Sequence, residues 1–163
     1  YLATHGDKDI AGAVYVDGVI ELKSDQIVAH PEVYRDMTAS DLKTHLEGER
    51  AFLRLCFSRQ PDADTFFLLL ANAALASWDM QRAVPSMTID AAKGISNARV
   101  PLLLIYGAQD ALVKAQPSIA KARSFNPRIQ SKLYAESGHA PFIEESDRFN
   151  RDLLNFIRAA VPR

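Results

Sequence analysis

Residues 100–110, VPLLLIYGAQD, decide the fold that we predict for this chain. The stretch from Val100 to Tyr106 is short and apolar, and Pro101 stands at its start, where a proline removes no hydrogen bond from a sheet. This pattern predicts a buried strand. A short loop with one glycine, Gly107, then leads to the carboxylate of Asp110.

A second and a third strand share this pattern. The earlier one covers residues 10–16 (IAGAVYV), and the later one, residues 129–134 (IQSKLY), alternates partly and is expected to be less deeply buried. Helices are predicted over residues 114–124 and about 146–160, the last with its apolar residues on one face. Alternating strands and helices are typical of an α/β fold with a parallel sheet that is covered on both faces.

The segment between the first two strands, residues 24–95, has a different character. It lacks a clear strand, and its apolar residues recur at helical spacing. A helical insertion of this length between two parallel strands is expected to cover the carboxyl edge of the sheet. We therefore predict an α/β core made of residues 1–23 and 96–163, and a helical lid made of residues 24–95, which is called the lid segment below.

Three helices are predicted within the lid segment, and they begin near residues 38–40, at residue 61 and near residue 78. The apolar stretch 66–76 belongs to the second helix. It is too short to span a membrane, which needs roughly 20 residues, so we expect a helix buried in the protein. The third helix is expected to run to about residue 92, with an interruption at Pro85.

Composition and charge restrict the classes of partner. Apolar residues make up 48% of the chain, and the formal net charge is −1 with a pI near 6.5. This composition is typical of a soluble globular domain. The lack of a basic excess argues against nucleic acid or an anionic membrane as the main partner. The single cysteine, Cys56, allows no internal disulfide and no cysteine metal cluster. The sequence leaves the compartment open, with the cytoplasm slightly favoured.

Chemistry is expected where two of the strands end. Asp110 follows one strand, and His139 follows the next. Reactive groups of parallel sheets collect past the carboxyl ends of the strands, and neighbouring strands lie about 4.8 Å apart, so the two side chains are expected to meet. A histidine with a pKa of about 6.5 can take a proton from a hydroxyl and return it to a leaving group. A buried carboxylate on its other ring nitrogen fixes the tautomer, so the pair predicts an acid–base relay.

Together the two motifs resemble the C-terminal region of the α/β-hydrolase superfamily. The resemblance rests on PLLLIYGAQD at 101–110 and GHAPF at 138–142, in this order, and extends to the final helix and to residues 1–18. It implies that Asp110 is the acid and His139 the general base of a catalytic triad. It also implies that the three strands are the sixth, seventh and eighth of the family's sheet.

The nucleophile that the resemblance implies has no candidate in this sequence. The family carries it on a Gly-x-Ser-x-Gly elbow, ahead of the acid and the histidine. The seven glycines stand at positions 6, 12, 18, 48, 94, 107 and 138, and no two of them have the elbow's spacing. We therefore expect the nucleophile and the earlier strands on an N-terminal segment, in the same chain or in a separate one. We also expect residues 1–163 alone to be inactive and to fold poorly.

The resemblance implies a hydrolase for small, mostly apolar esters or related acyl substrates, with no metal and no organic cofactor. Two alternatives stay open: a catalytically inactive binding module, and a dehalogenase, epoxide hydrolase or perhydrolase on the same scaffold. Four side chains of the lid segment are candidates to line the substrate pocket, although aromatic and Met residues at helical spacing belong more often to a core. They are Phe66, Phe67, Trp78 and Met80.

Other polar residues receive smaller roles. Asp17 also follows a strand and is the alternative acid, because some members of the superfamily carry their acid at that position. Cys56 is expected to be a small buried hydrophobe rather than a reactive thiol. The remaining histidines are expected to be solvated or partly packed: His5, His30 and His45. The acids near His139 are expected to be solvated: Glu136, Glu144 and Glu145.

Overall fold

Three parallel strands form the sheet of the computed structural model, which describes residues 1–88 and 90–161. They are β1 (Ala13–Val16), β2 (Leu102–Gly107) and β3 (Gln130–Tyr134), and β2 lies between the other two. Val16 pairs with Ile105, and Gly107 pairs with Tyr134. All three strands therefore run in the same direction, and their carboxyl ends meet at one edge of the sheet.

Helices occupy the connections, in the order that an α/β chain requires. They are α1 (Leu2–His5), α2 (Pro31–Met37), α3 (Leu42–Leu55), α4 (Ala63–Ala73), α5 (Trp78–Ala83), α6 (Ala91–Asn97), α7 (Ala115–Phe125), α8 (Pro141–Glu144) and α9 (Ser146–Ala160). The lid segment holds α2 to α5, and the predicted lid boundary at residue 95 falls inside α6. The fold prediction of three parallel strands with flanking helices is confirmed.

Two local predictions need correction. The third predicted helix of the lid segment is wrong as one element, because α5 ends at Ala83, Pro85 lies in a 3₁₀ turn (Val84–Ser86), and α6 is a separate helix. Residue 89 of that predicted helix, and residues 162 and 163 of the predicted core, lie outside the described residues. The first strand begins at Ala13 rather than at Ile10, since its pairing with β2 starts there.

Two short helices escaped the sequence pattern. The helices α2 and α8 contain seven and four residues, and so few positions show no period. Each has a proline in its first turn, where the fixed φ favours helix and the missing N–H costs no hydrogen bond. The longer α3 and α4 start at aspartate caps, where Asp41 and Asp62 accept backbone N–H groups through their side chains.

The central strand divides the core into two parts. All six residues of β2 are buried, as its unbroken apolar sequence predicts for a strand covered on both faces. Leu102, Leu104 and Tyr106 pack on one face against a large cluster that includes Ile20. Leu103 and Ile105 pack on the other face with buried residues of β3 and α9, Tyr134 and Phe156. The alternation fixes β2 between two helical layers and thereby fixes the height of the loop that follows it.

The expectation of a buried helix over residues 66–76 is wrong. No residue of α4 is buried in this chain, and its outer side exposes Phe67, Leu68 and, just beyond its end, Leu75. The reason is that α4 packs mainly on one neighbour, α3, which leaves its other sides uncovered. Within residues 1–88 and 90–161, no helix has both the length and the apolar character that crossing a membrane would take.

Two glycines, one at the end of β2 and one after β3, lie where another part of the backbone comes very close. A Cβ atom at Gly107 would overlap the backbone carbonyl oxygens of Ser137 and Gly138. A Cβ atom at Gly138 would lie 2.7 Å from the backbone nitrogen of Ser58, which follows α3. Because backbone atoms cannot turn aside as a flexible side chain can, both positions require glycine.

Replacing Gly107 with alanine is therefore expected to destabilise the protein by about 3 kcal/mol or more, because the added methyl group forces the two loops apart. The measurement is urea unfolding of the intact protein that contains this chain. Gly18→Ala is the matched control, since its Cβ would meet only the Tyr15 side chain at 3.7 Å, an ordinary contact. Equal unfolding midpoints for the two variants would contradict the close approach.

Candidate active site

The side chains of Asp110 and His139 meet at the carboxyl edge of the sheet. His139 Nδ1 lies 2.8 Å from Asp110 Oδ2. An ionised carboxylate can only accept a hydrogen bond, so Nδ1 carries the hydrogen and donates the hydrogen bond to Asp110. The contact expected from the two strand ends is therefore present, and the imidazole keeps its Nε2 free for a second partner.

Asp110 is held on both of its oxygens. While Oδ2 faces His139, Oδ1 accepts the backbone N–H groups of Leu112 at 2.7 Å and Val113 at 3.0 Å. The side chain is 0% exposed. A buried carboxylate is stable only when hydrogen bonds replace its lost hydration, and these three donors provide that replacement. The turn after β2 thus fixes the carboxylate in one orientation.

The loop that carries His139 is held by acids that the sequence pattern assigned to solvent. The Gly138 N–H donates to Glu144 Oε2 at 2.6 Å, and the Ser137 hydroxyl donates to Glu145 Oε1 at 2.7 Å. Glu144 also accepts the Arg59 N–H from the lid segment, at 2.9 Å. The expectation that Glu144 and Glu145 are solvated is therefore wrong, whereas Glu136 is exposed as expected.

The sequence indicates this role of Glu144 and Glu145 only once the turn after His139 is known. Both acids follow the histidine within one short helix, so their side chains can reach back to the histidine loop. The main chain of His139 has a further partner, because its N–H donates to the carbonyl of Cys56 at 2.9 Å. That carbonyl ends α3. The histidine loop is thus attached to the lid segment as well as to the sheet.

The surroundings of His139 raise its pKa. Burial works to lower the pKa of the imidazole, but the hydrogen bond to Asp110 and the negative charge of that residue outweigh it, and Asp17 contributes in the same direction. The charged imidazolium form of His139 therefore persists to a higher pH than that of an ordinary histidine. A base that can hold a proton in this way suits the transient protonation that a relay needs.

Asp17 is a second carboxyl group beside the pair. It directly follows β1 and has its backbone at φ 44°, a left-handed conformation that is uncommon for a residue other than glycine. Its Oδ1 accepts the Gly107 N–H at 2.8 Å, and its Oδ2 is buried without a hydrogen-bond partner among the described residues. One ligand atom each of Asp17, Asp110 and His139 lie within 4.8 Å of one another. The hydrogen bond to His139 is made by Asp110, and Asp17 stands next to it.

Burial raises the pKa of Asp17 to about 7; the hydrogen bond from Gly107 opposes this shift, and the charge of Asp110 adds to it. Two carboxylates in one buried place cannot both ionise easily, since each disfavours the charge of the other. Asp17 therefore keeps its proton to a higher pH than an ordinary aspartate does.

A mostly apolar cavity of about 470 Å³ lies beside His139. Its wall combines residues that follow β1 with residues of the lid segment and of the turn after Asp110. They are Val19, Leu22, Ile27, Tyr34, Phe52, Val84, Leu112 and Val113. Sequence reasoning did not select these positions, because the lining comes from five separate stretches and shows no period in any of them.

The four predicted pocket residues of the lid segment lie elsewhere. None of them lines the cavity at His139. Met80 lines a neighbouring cavity within the lid segment, and Trp78 stacks on His45 with ring centroids 4.3 Å apart. Phe66 and Phe67 line a separate groove together with Arg50 and Arg54. A role for these four in substrate binding stays a prediction.

The surroundings of Cys56 agree with the sequence prediction for that residue, and those of His45 do not. Burial raises the pKa of the Cys56 thiol to about 12, with Asp110 adding to the shift, and its Sγ lies 3.5 Å from the Phe52 carbonyl oxygen. This fits a small packed hydrophobe. His45, in contrast, is 1% exposed, so it is fully buried rather than solvated or partly packed. The apolar positions of α3 did not reveal this, because His45 is covered by a distant residue, Trp78.

Several known proteins that are similar to this chain are named as esterases. A protein from Burkholderia cenocepacia assigned as an aryl esterase has a crystal structure with TM-score 0.98, and it is 80% identical over 100% of this chain and 60% of its own. The esterase RhEst1 from Rhodococcus sp. ECU1013 gives a TM-score of 0.87 at 20% identity, over 99% of this chain and 60% of its own. The carboxylesterase YbfK of Bacillus subtilis is 23% identical over 81% of this chain and 45% of its length.

No family model matches the chain. A shorter match is to the pimeloyl-[acyl-carrier protein] methyl ester esterase of Vibrio atlanticus, 31% identical over 68 residues, which are 42% of this chain and 26% of that protein. The chain thus spans less than two thirds of the length of the relatives it matches.

Asp17→Asn is expected to stabilise the intact protein at neutral and alkaline pH. The folded pKa of about 7 lies above the ordinary 3.8, so the stability associated with a neutral Asp17 is present at low pH and is lost as the pH rises through about 7. Asparagine stays neutral and can still accept the Gly107 N–H. Relative to the difference near pH 4, the variant should gain about 2 kcal/mol or more by pH 8.

The measurement is chemical unfolding of both proteins over this pH range. Asp25→Asn, at an exposed aspartate, is the control and should show no such trend. A stability difference between the Asp17 variant and the wild type that does not change with pH would show that Asp17 ionises as an ordinary aspartate.

Proposed function

We propose that this chain, which carries the C-terminal part of the α/β-hydrolase fold, provides the general base and the acid of an ester hydrolase. The observation that carries the proposal is the hydrogen bond from His139 Nδ1 to the buried Asp110 Oδ2, at the carboxyl edge of a parallel sheet and beside an apolar cavity. A buried acid, an imidazole oriented by that acid and a cavity for the substrate lie next to one another, as acyl transfer requires.

In this proposal His139 transfers the proton, and Asp110 orients the imidazole ring of His139. With Nδ1 bound to Asp110, Nε2 is the ring atom that takes the proton of the nucleophile and later gives it to the leaving alcohol. The imidazolium formed in between is stabilised by the Asp110 charge, which stays fixed because the Leu112 and Val113 N–H groups hold its other oxygen. Asp17 is not the acid of the relay in this assignment, because its free oxygen has no contact with the imidazole at hydrogen-bond distance.

The nucleophile is proposed on a segment outside residues 1–163, on a Gly-x-Ser-x-Gly elbow. The described strand β1 pairs with β2 on one side only, so its other side can receive a further parallel strand. A strand added there would end at the same edge as Asp110 and His139, where a serine could reach Nε2. The substrate and this N-terminal part of the fold are the two partners that the proposal requires.

A small, mostly apolar ester is the substrate class that the cavity favours. Its volume of about 470 Å³ and its lining of Val, Leu, Ile, Tyr and Phe side chains suit an apolar acyl or aryl group. The names of the relatives, aryl esterase and carboxylesterase, point to the same class. The reaction splits the ester through an acyl-enzyme, with water as the second nucleophile.

His139→Ala is expected to lower kcat for a p-nitrophenyl ester in the intact protein by on the order of 10⁴ or more, because the nucleophile loses its base. The Tm should move by only a few degrees, since the side chain makes one hydrogen bond and is partly exposed. Turnover is followed by release of p-nitrophenol.

His5→Ala is the matched control, because His5 is an exposed histidine at the end of α1 and should have no effect. Retained turnover in the His139 variant would remove His139 from the mechanism. A wild-type protein that binds the ester without hydrolysing it would instead favour the alternative of an inactive binding module.

The pH dependence of kcat/KM follows from the raised pKa of His139. Only the neutral imidazole can accept a proton, so activity should rise with pH through an apparent pKa above the ordinary 6.5. The measurement is kcat/KM for the same ester from about pH 5 to pH 9. An acidic limb with its midpoint below 6.5 would mean that Asp110 does not stabilise the imidazolium.

A further inference from the structure

A second cavity lies inside the lid segment. It has a volume of about 340 Å³ and sits between α2, α3, the end of α4 and α5. Most of its wall is apolar, with Met37, Leu53 and Ala76 among the lining residues. The proposed mechanism does not use this space.

This cavity adjoins the one at His139. Tyr34, Phe52 and Val84 line both of them. The rings of Tyr34 and Phe52 lie 6.3 Å apart between their centroids and form the shared boundary. The two cavities are therefore neighbours, with these side chains between them.

The wall of the second cavity has one polar corner. It is formed by Glu49 and Gln81, which are 3% and 9% exposed. Oε1 of each side chain has no hydrogen-bond partner among the residues that the structure describes. Unpaired acceptors that are shielded from water are unfavourable, so a group that donates to them would be bound with a gain in free energy.

The buried side chain of His45 does not supply a hydrogen bond to this corner. His45, one helical turn before Glu49, has its Nε2 3.9 Å from Glu49 Oε1, which is too far for a hydrogen bond. Neither ring nitrogen of His45 has a partner within residues 1–88 and 90–161. Trp78 covers its ring and keeps it in place. Burial raises the pKa of Glu49, with Gln81 and His45 opposing the shift, as expected for a carboxyl group without a full set of donors.

We propose that the lid cavity is the distal half of the substrate site, and that Glu49 and Gln81 bind a hydrogen-bond donor, a primary ammonium or a hydroxyl, at the far end of the substrate. Two adjacent acceptors suit a group with more than one N–H or O–H, and the carboxyl group of Glu49 favours a positive one. The apolar walls between His139 and this corner hold the intervening carbon chain. The inference rests on the proposed function, whose substrate class it narrows to esters with a polar terminus.

The first experiment compares three p-nitrophenyl esters in the intact protein: the hexanoate, the ω-hydroxyhexanoate and the ω-aminohexanoate. The wild type should hydrolyse at least one of the two polar-ended esters with a kcat/KM about tenfold above that of the hexanoate. Glu49→Gln should reduce this preference, the ratio of the two kcat/KM values, about tenfold. Glu47→Gln is the matched control, because it makes the same change at an exposed position of α3 and should keep the preference.

A second experiment measures binding without catalysis. Trp78 is the single tryptophan of the chain and touches His45 beside the polar corner, so its fluorescence should respond to a group bound there. n-Hexylamine and n-hexanol are titrated into the wild type and the Glu49 and Glu47 variants, and a Trp78→Phe variant gives the background. A saturable signal from either probe that weakens about tenfold in Glu49→Gln alone is the expected result.

The outcomes separate the two proposals. If the wild type shows no preference for a polar terminus, or if both glutamate variants lose it equally, the polar corner is not a substrate subsite and the inference fails while ester hydrolysis stands. If no ester is hydrolysed, the proposed function fails, and the n-hexylamine and n-hexanol titrations then decide whether Glu49 binds a donor. The comparison of the three esters in the wild type needs no variant. It therefore tests the inference even if the Glu49→Gln protein folds poorly.

Discussion

The parallel alignment of β2 and β3 is the constraint on which the candidate site depends. Two neighbouring strands that run the same way bring the loops after them to one edge and to one height, and the glycine at 107 lets these loops approach to backbone contact. The hydrogen bond between His139 and Asp110 is the consequence. Since the burial of β2 on both faces fixes that strand, the position of the carboxylate is determined by the hydrophobic core and not by the loop alone.

A buried cluster of charge is stable here because backbone donors surround it. Asp110 receives two N–H groups in addition to the imidazole, and Asp17 receives one from Gly107. Burial, to which the charge of Asp110 adds, raises the pKa of Asp17 to about 7. Although burial opposes it, the hydrogen bond to Asp110 and the negative charge of that residue raise the pKa of His139. The electrostatics of the site thus depend on how deeply its groups are buried and on which of them form hydrogen bonds.

The lid segment takes part in the site through its backbone and its cavities. The carbonyl of Cys56 at the end of α3 accepts the His139 N–H, and the Arg59 N–H binds Glu144, which also holds Gly138. A displacement of α3 would therefore move the histidine loop. The inner side of the segment lines two adjacent apolar cavities, while α4 leaves Phe67 and Leu68 exposed on the outside. The shape of these cavities and the position of the histidine loop consequently depend on the same helix.

The sequence by itself determined the elements whose signal is local. The apolar run of β2, the face of α9 and the aspartate at the start of α3 are each encoded by neighbouring residues, and the order of strands and helices indicated a parallel sheet, which in turn brought Asp110 and His139 together. Only the tertiary structure decided the parts that depend on distant neighbours: the raised pKa of Asp17, the attachment of Glu144 and Glu145 to the histidine loop, the burial of His45 and the cavity lining. Periodicity reports which side of an element is apolar, but it does not report what covers that side. For this reason α4 was expected to be buried and is exposed, while the acids near His139 were expected in solvent and hold the loop.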